Sequence, residues 1–144
     1  MAERARINQQ FRLYIEKATN LAKKDIFGAS DPYVKVYIVN HREGVYNAPK
    51  NKHVAKTRVI KNTLNPFWEE QFVLSFDPSF KTVLLEVWDE NRLTPDDFLG
   101  QVGLPPQDFL VGEGARGVLE LQGGCQASTV SGSIFIGLRK EPQV

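Results

Sequence analysis

The chain has 144 residues, 42% hydrophobic and 24% charged, which is the size and composition of one globular domain rather than two. Its 18 basic and 17 acidic residues nearly cancel, so we expect no nucleic-acid partner. The single cysteine, Cys125, excludes an internal disulfide and favours a cytoplasmic location, and no apolar run approaches the roughly 18 residues that a membrane-spanning helix needs.

Alternating apolar and polar residues predict eight β-strands. The first predicted strand covers residues 11–18, and one of its faces carries Phe11, Leu13 and Ile15. The others are predicted at residues 32–40, 54–61, 69–76, 82–89, 98–104, 117–121 and 131–139. Turn signals rich in Gly, Pro and Asn separate them, and no helical pattern exceeds one or two turns. We therefore predict an all-β, eight-stranded antiparallel β-sandwich over residues 11–140, after a flexible N-terminus at residues 1–10.

Acidic residues flank two of the predicted turns. Asp25 and Asp31 lie between the first and second strands, while Asp89, Asn91 and Asp97 surround the turn between the fifth and sixth. In an antiparallel sandwich both turns can lie at one end, where four carboxylates and one amide oxygen would meet. Such a cluster repels itself unless it holds a cation, and oxygen ligands without His or Cys favour calcium. The alternative is that each aspartate only caps its turn.

The acidic turns also carry apolar residues next to charges. In the run KKDIFGASDPYV, Ile26 and Phe27 lie between two aspartates, where neither a buried strand nor a solvated loop favours this combination. We predict that such loops meet the membrane interface, with packing of Ile26 or Phe27 on the end of the sandwich as the alternative. The residues predicted to contact lipid are Lys23, Lys24, Ile26, Phe27, Arg92 and Leu93.

Three runs of sequence together resemble a C2 domain over about residues 11–104: LAKKDIFGASDPYVKV, KTRVIKNTLNPFWEEQF and LLEVWDENRLTPDDFLGQV. They are most similar to the N-terminal C2 domains of ubiquitin ligases that continue into WW and HECT domains. The resemblance implies a Greek-key sandwich, and the first strand leads directly into the first acidic loop, as in the circularly permuted (type II) variant.

The resemblance also implies that calcium is held by Asp25, Asp31, Asp89 and Asp97. Asn91 departs from the family pattern, because strong calcium binders such as protein kinase C have an aspartate at this position. A neutral amide removes one formal charge and weakens a second calcium more than the first. One calcium ion is therefore expected, with two as the alternative.

A second candidate surface is the outward face of the second and third predicted strands. In some C2 domains the matching positions bind phosphoinositide headgroups, and here they are Tyr33, Lys35, Lys56, Arg58 and Trp88. The pattern is incomplete, because such domains often have a lysine in place of Val54 and favour a neutral residue in place of Asp96. The alternative is a charged strand face that is simply solvated.

The resemblance implies calcium-dependent binding to anionic phospholipids such as phosphatidylserine, which would target a parent protein, a HECT-type ubiquitin ligase, to membranes. The alternative is a regulatory module that docks on a HECT domain or another partner, with calcium or lipid relieving autoinhibition. No catalytic constellation is recognisable, since Cys125 is far along the chain from His41 and His53. We expect a monomer that is cytoplasmic and reversibly recruited to membranes.

Overall fold

Two antiparallel sheets make up the part of the chain that the structure, a computed structural model, describes: residues 8–24, 28–40, 52–104, 115–123 and 129–142. The first sheet has the strand order β4-β1-β8-β7 and the second β3-β2-β5-β6. The strands in these residues are β1 (Gln9–Thr19), β2 (Pro32–Asn40), β3 (Ala55–Lys56), β4 (Phe67–Phe76), β5 (Lys81–Asp89), β6 (Asp97–Leu104), β7 (Ala115–Glu120) and β8 (Ser133–Lys140).

This architecture confirms the predicted all-β sandwich, with eight strands in the described residues. The C-terminal strand β8 pairs with both β1 and β7. The assignment to the permuted variant stays a prediction. β1 begins at Gln9, two residues before the predicted start of the domain, while residues 1–7 lie outside the described part. No helix in the described residues is long and apolar enough to cross a membrane.

The core lies between the sheets because successive residues of a strand point to opposite faces. Phe11, Leu13 and Ile15 of β1 are fully buried, as their alternation predicts. Trp68 near the start of β4 is also fully buried, and its indole Nε1 donates to the Pro32 carbonyl over 3.2 Å. This bond fixes the start of β2 against β4 at the end of the sandwich that carries the acidic residues.

The alternation over residues 54–61 predicts a full strand, but only Ala55 and Lys56 form one. The strand stops because the Val34 N–H donates to the Thr57 side-chain hydroxyl over 2.9 Å rather than to a backbone carbonyl. The Thr57 N–H still donates to the Val34 carbonyl over 2.9 Å. The segment therefore continues along β2 as an irregular edge.

Gly132, just before β8, provides a test of how the ends of the sheet are packed. Its φ is +98°, and a Cβ would lie 2.4 Å from the Thr19 carbonyl oxygen and 2.7 Å from that of Asn20. We expect Gly132→Ala to lower the free energy of unfolding by about 1–3 kcal/mol, because the backbone would be strained and displaced. Chemical denaturation measures the loss. Ser133→Ala is the neighbouring control, and equal midpoints for the two variants would contradict the expectation.

Candidate functional site

The ends of three strands bring acidic residues together at one end of the second sheet. In the strand register Pro32 faces Asp89, and Asp89 faces Asp97. Asp31 directly precedes β2, so it lies beside the end of β5. Antiparallel pairing of β2 with β5 and of β5 with β6 thus brings Asp31, Asp89 and Asp97 to one end of the sheet, whereas Asp25, the remaining predicted ligand of the first turn, lies outside the described residues.

Asp89 is the centre of this convergence. Its side chain is fully buried, and its Oδ1 accepts the Asp31 N–H over 2.8 Å. The Glu90 N–H returns a bond to the Asp31 carbonyl over 3.0 Å. A buried carboxylate is costly unless hydrogen bonds stabilise it, and a backbone amide does so here. The segment before β2 and the end of β5 are therefore joined directly.

Asn62 is a site residue that the sequence prediction missed. Its backbone N–H donates to Asp31 Oδ1 over 2.7 Å, and its side-chain Oδ1 accepts the Ala29 N–H over 3.0 Å. Its φ of 57° lies in the left-handed region, which Asn tolerates better than most residues. The turn signal KNTLNP could have suggested this conformation, but it could not show that the turn supports the first acidic loop.

Asn91 uses its amide nitrogen rather than its oxygen within the acidic cluster. The Nδ2 group donates to the Pro95 carbonyl over 2.9 Å and to Asp97 Oδ2 over 3.1 Å. The prediction of Asn91 as an oxygen ligand is not tested by this contact, but the structure shows the residue serving as a donor to a neighbouring candidate ligand. The loop between β5 and β6 is thereby closed on itself.

The chemistry of the donors fits a hard cation such as calcium, because Asp31, Asp89 and Asp97 offer only carboxylate oxygens. Within the described residues, however, no group of three or more His, Cys, Asp or Glu side chains is arranged as a metal site. The remaining predicted ligand, Asp25, lies outside the described residues.

The loop between β5 and β6 carries a fully projecting apolar side chain. Leu93 is 97% exposed, the highest value among the exposed large hydrophobic residues described, and Arg92 beside it is also exposed. Lys23 is exposed, whereas Lys24 donates from Nζ to the Thr129 carbonyl over 2.5 Å. The two predicted apolar residues of the first loop, Ile26 and Phe27, lie outside the described part.

The structure brings two lysines of the predicted basic groove together, while the groove itself stays a prediction. Lys35 and Lys56 face each other across β2 and β3. The Lys35 Nζ lies 5.0 Å from the Trp88 ring centroid, and the Lys56 Nζ lies 5.4 Å from the Tyr33 ring centroid. Cation–π contacts of this kind orient lysines over aromatic faces. Arg58 departs from the set, because its Nη1 lies 3.8 Å from an oxygen of Glu70.

Tyr33 and its neighbour Tyr37 lie on the predicted outward face but are buried, with 4% and 3% exposure. The Tyr33 hydroxyl donates to Asp96. The pKa of Tyr33 is raised well above its ordinary value, mainly by burial and secondly by this hydrogen bond. Burial also raises the pKa of Tyr37 to about 12, with the nearby Glu86 carboxylate as the second cause. The outer face of β2 is thus less open than its alternation predicts.

The profile of the C2 domain family matches residues 9–121, more than half of the chain. This chain belongs to the C2 domain family. Among curated proteins, the E3 ubiquitin-protein ligase NEDD4 of Rattus norvegicus is 46% identical over 94 residues, which is 65% of this chain and 10% of that protein. This C2 domain therefore spans about a tenth of the length of that relative.

Solved structures agree with the family at the level of the fold. The C2A domain of a plant Extended Synaptotagmin 1 has a TM-score of 0.76 and 23% identity, covering 98% of this chain and 99% of that chain. The calcium-bound C2A and C2B domains of Extended-Synaptotagmin 2 have a TM-score of 0.69 and 20% identity, covering 94% of this chain and 47% of that chain. At these identities the likeness concerns the fold alone.

The raised pKa of Tyr37 predicts a loss of stability of this C2 domain in alkaline solution. The unfolded phenol ionises near pH 10 and the folded one near pH 12, so the contribution of the protonated phenol to stability is present below pH 10 and is lost as the pH rises towards 12. Chemical denaturation below pH 10 and near pH 12 should show a smaller loss for Tyr37→Phe than for the wild type. Equal losses would contradict the prediction.

Proposed function

We propose that this C2 domain binds membranes rich in anionic phospholipids, such as phosphatidylserine, in a calcium-dependent manner. The observation that carries the proposal is that Asp31, Asp89 and Asp97 lie at neighbouring strand ends, where the loop between β5 and β6 carries a Leu93 that is 97% exposed. An acidic cluster and a projecting apolar side chain would otherwise be an unfavourable pair in a solvated loop. A membrane surface with a cation between protein and lipid satisfies both.

The electrostatics of the loop end supports calcium as the switch. Without a cation, the carboxylates of Asp31, Asp89 and Asp97 repel the phosphates of an anionic leaflet. Bound calcium would supply positive charge and coordination positions for phosphate oxygens. Because Asn91 adds no formal charge to the site, we propose one calcium ion, with Asp25 as a further ligand. A second ion would have fewer charged ligands.

The loop residues suit reversible docking rather than permanent insertion. Burial of the Leu93 side chain in the interface contributes roughly 1.5–3 kcal/mol. Arg92 and Lys23, both exposed, contribute about 1 kcal/mol each near an anionic surface. Lys24 contributes less, because its ammonium group is bonded to the Thr129 carbonyl. Terms of this size together hold a peripheral protein while the cation is bound and release it afterwards.

The similarity to NEDD4 supports a role for this domain within a longer protein. NEDD4 is an E3 ubiquitin-protein ligase, and this chain matches about a tenth of it. We propose that the parent protein is a HECT-type ubiquitin ligase in the cytoplasm and that the C2 domain brings it to membranes. The ligase activity would then reside in other domains of that protein.

A second candidate function is docking on the HECT domain of the same protein, with calcium or lipid relieving autoinhibition. The similarity to a ubiquitin ligase favours it, because a loop surface that binds membranes can also bind a protein. A pull-down of a purified HECT domain by this C2 domain, weakened by calcium, would support it. Absence of binding with and without calcium would count against it.

We propose a phosphoinositide headgroup as an additional ligand of the outer face. Lys35 and Lys56 lie opposite each other and present two positive charges over aromatic rings. Arg58 is near Glu70, and the Tyr33 hydroxyl is bonded to Asp96. We therefore propose that this surface contributes less than the loop end, through these two lysines.

The metal ligands provide the decisive test of the proposed function. We expect Asp97→Asn and Asp31→Asn to raise the calcium concentration for half-maximal binding to phosphatidylserine vesicles about tenfold or more, because each removes a charged ligand. Calorimetric calcium titration and cosedimentation with and without a chelator measure this. The control is Asp77→Asn, because Asp77 lies in the turn that precedes β5, at the end of that strand away from Asp89. Equal vesicle binding in calcium and in chelator would remove the calcium dependence.

Leu93 tests whether the loop enters the lipid. Leu93→Ser should weaken calcium-dependent vesicle binding about tenfold or more, since roughly 1.5–3 kcal/mol of apolar burial is lost, and should leave calcium binding in solution unchanged. Val73→Ser removes a side chain of 53% exposure on the first sheet and serves as the control. If the two variants bind vesicles equally well, Leu93 does not insert.

A further inference from the structure

Asp96 is engaged through both carboxylate oxygens, although the sequence marks it only as a departure from the groove pattern. Its Oδ1 accepts the backbone N–H of Asn91 over 2.9 Å, at the start of the loop between β5 and β6. Its Oδ2 accepts the hydroxyl of Tyr33, which lies on β2. One side chain therefore connects the two ends of the loop to each other and to a neighbouring strand.

The strand side of this connection is firmly placed. Tyr33 is 4% exposed and faces Trp88 in the register of β2 with β5. The Trp88 ring packs edge-on against Phe98, with 5.4 Å between centroids. The Lys56 ammonium group lies over the Tyr33 ring itself. A hydroxyl on a buried ring has little freedom, so Tyr33 provides a fixed donor for Asp96.

The loop side is closed by further hydrogen bonds. Asn91 Nδ2 donates to the Pro95 carbonyl and to Asp97 Oδ2, which shortens the loop at its base. Leu93 remains at the tip with 97% exposure. These hydrogen bonds give the loop a defined shape between Asn91 and Asp97. The bond from Tyr33 to Asp96 is the side-chain contact that ties this shape to the outer face of β2.

We propose that Tyr33 and Asp96 form a latch that holds residues 90–97 in the membrane-binding conformation before any cation binds. The inference rests on the proposed calcium-dependent function and assigns both residues a positioning role. A hydrogen bond to a charged group in a partly buried setting is among the stronger ones. If the latch is lost, the competent conformation becomes less populated, and the apparent affinity for calcium falls by the same fraction.

The experiment compares Tyr33→Phe with Tyr37→Phe. Both remove a hydroxyl from a buried tyrosine on the same face of β2, but the Tyr37 hydroxyl interacts with Glu86 rather than with the loop between β5 and β6. Asp96→Ala removes the acceptor, and Asp96→Asn restores one acceptor oxygen without the charge. Two quantities are measured: exchange of the Asn91 amide proton by NMR in chelator, and the calcium concentration for half-maximal binding to phosphatidylserine vesicles.

We expect Tyr33→Phe and Asp96→Ala to accelerate exchange of the Asn91 amide about fivefold or more in chelator, because the acceptor is released or lost. The same variants should raise the calcium midpoint about three- to tenfold. For Asp96→Asn, both the exchange rate and the calcium midpoint should lie between those of these variants and those of the wild type. Tyr37→Phe should match the wild type in both measurements.

Equal behaviour of Tyr33→Phe and Tyr37→Phe in both measurements would overturn the latch. Faster exchange with an unchanged calcium midpoint would also overturn it, since the loop would then be held without effect on binding. If wild-type protein does not bind the vesicles at all, the proposed function fails, and equal Asn91 exchange in Tyr33→Phe and wild type in chelator would show separately that Tyr33 and Asp96 do not hold the loop. Should Asp96→Ala fail to fold, Tyr33→Phe carries the test because it keeps the ring in place.

Discussion

The hydrogen bond from the Asp31 amide to the buried Asp89 carboxylate is the contact on which the loop end of this C2 domain depends. It joins residues 58 apart in sequence and fixes where the end of β5 lies relative to the start of β2. Since Asp97 faces Asp89 on the other side, one buried carboxylate determines the spacing of the acidic group. The apolar core between the sheets holds these strand ends in place.

Such an arrangement places like charges close together, and the protein compensates with neutral donors. Backbone amides of Asn62 and Asn91 bond to Asp31 and Asp96, and the Asn91 side chain bonds to Asp97. Neutral donors stabilise carboxylates without cancelling their charge. The loop end therefore keeps a negative charge that a cation could neutralise.

The outer face of the second sheet shows how tertiary contacts modify a strand pattern. Alternation correctly placed Lys35 and Lys56 on one face, because strand geometry alone determines this. It could not show that Arg58 would lie near Glu70, which comes from β4. Nor could it show that Tyr33 would bond to Asp96, since the two are 63 residues apart. Side chains on one face compete for partners that arrive from distant segments.

The sequence by itself determined the sandwich and the strands other than residues 54–61, and it allowed the two acidic turns to lie at one end. These follow from periodicity of two and from the rule that antiparallel strands return to the same end. Only the tertiary structure decided that β3 is two residues long, that Asn62 supports Asp31, and that Asn91 acts as a donor. Each depends on hydrogen-bond partners brought together by folding, and local sequence contains no record of which distant group will lie within about 3 Å.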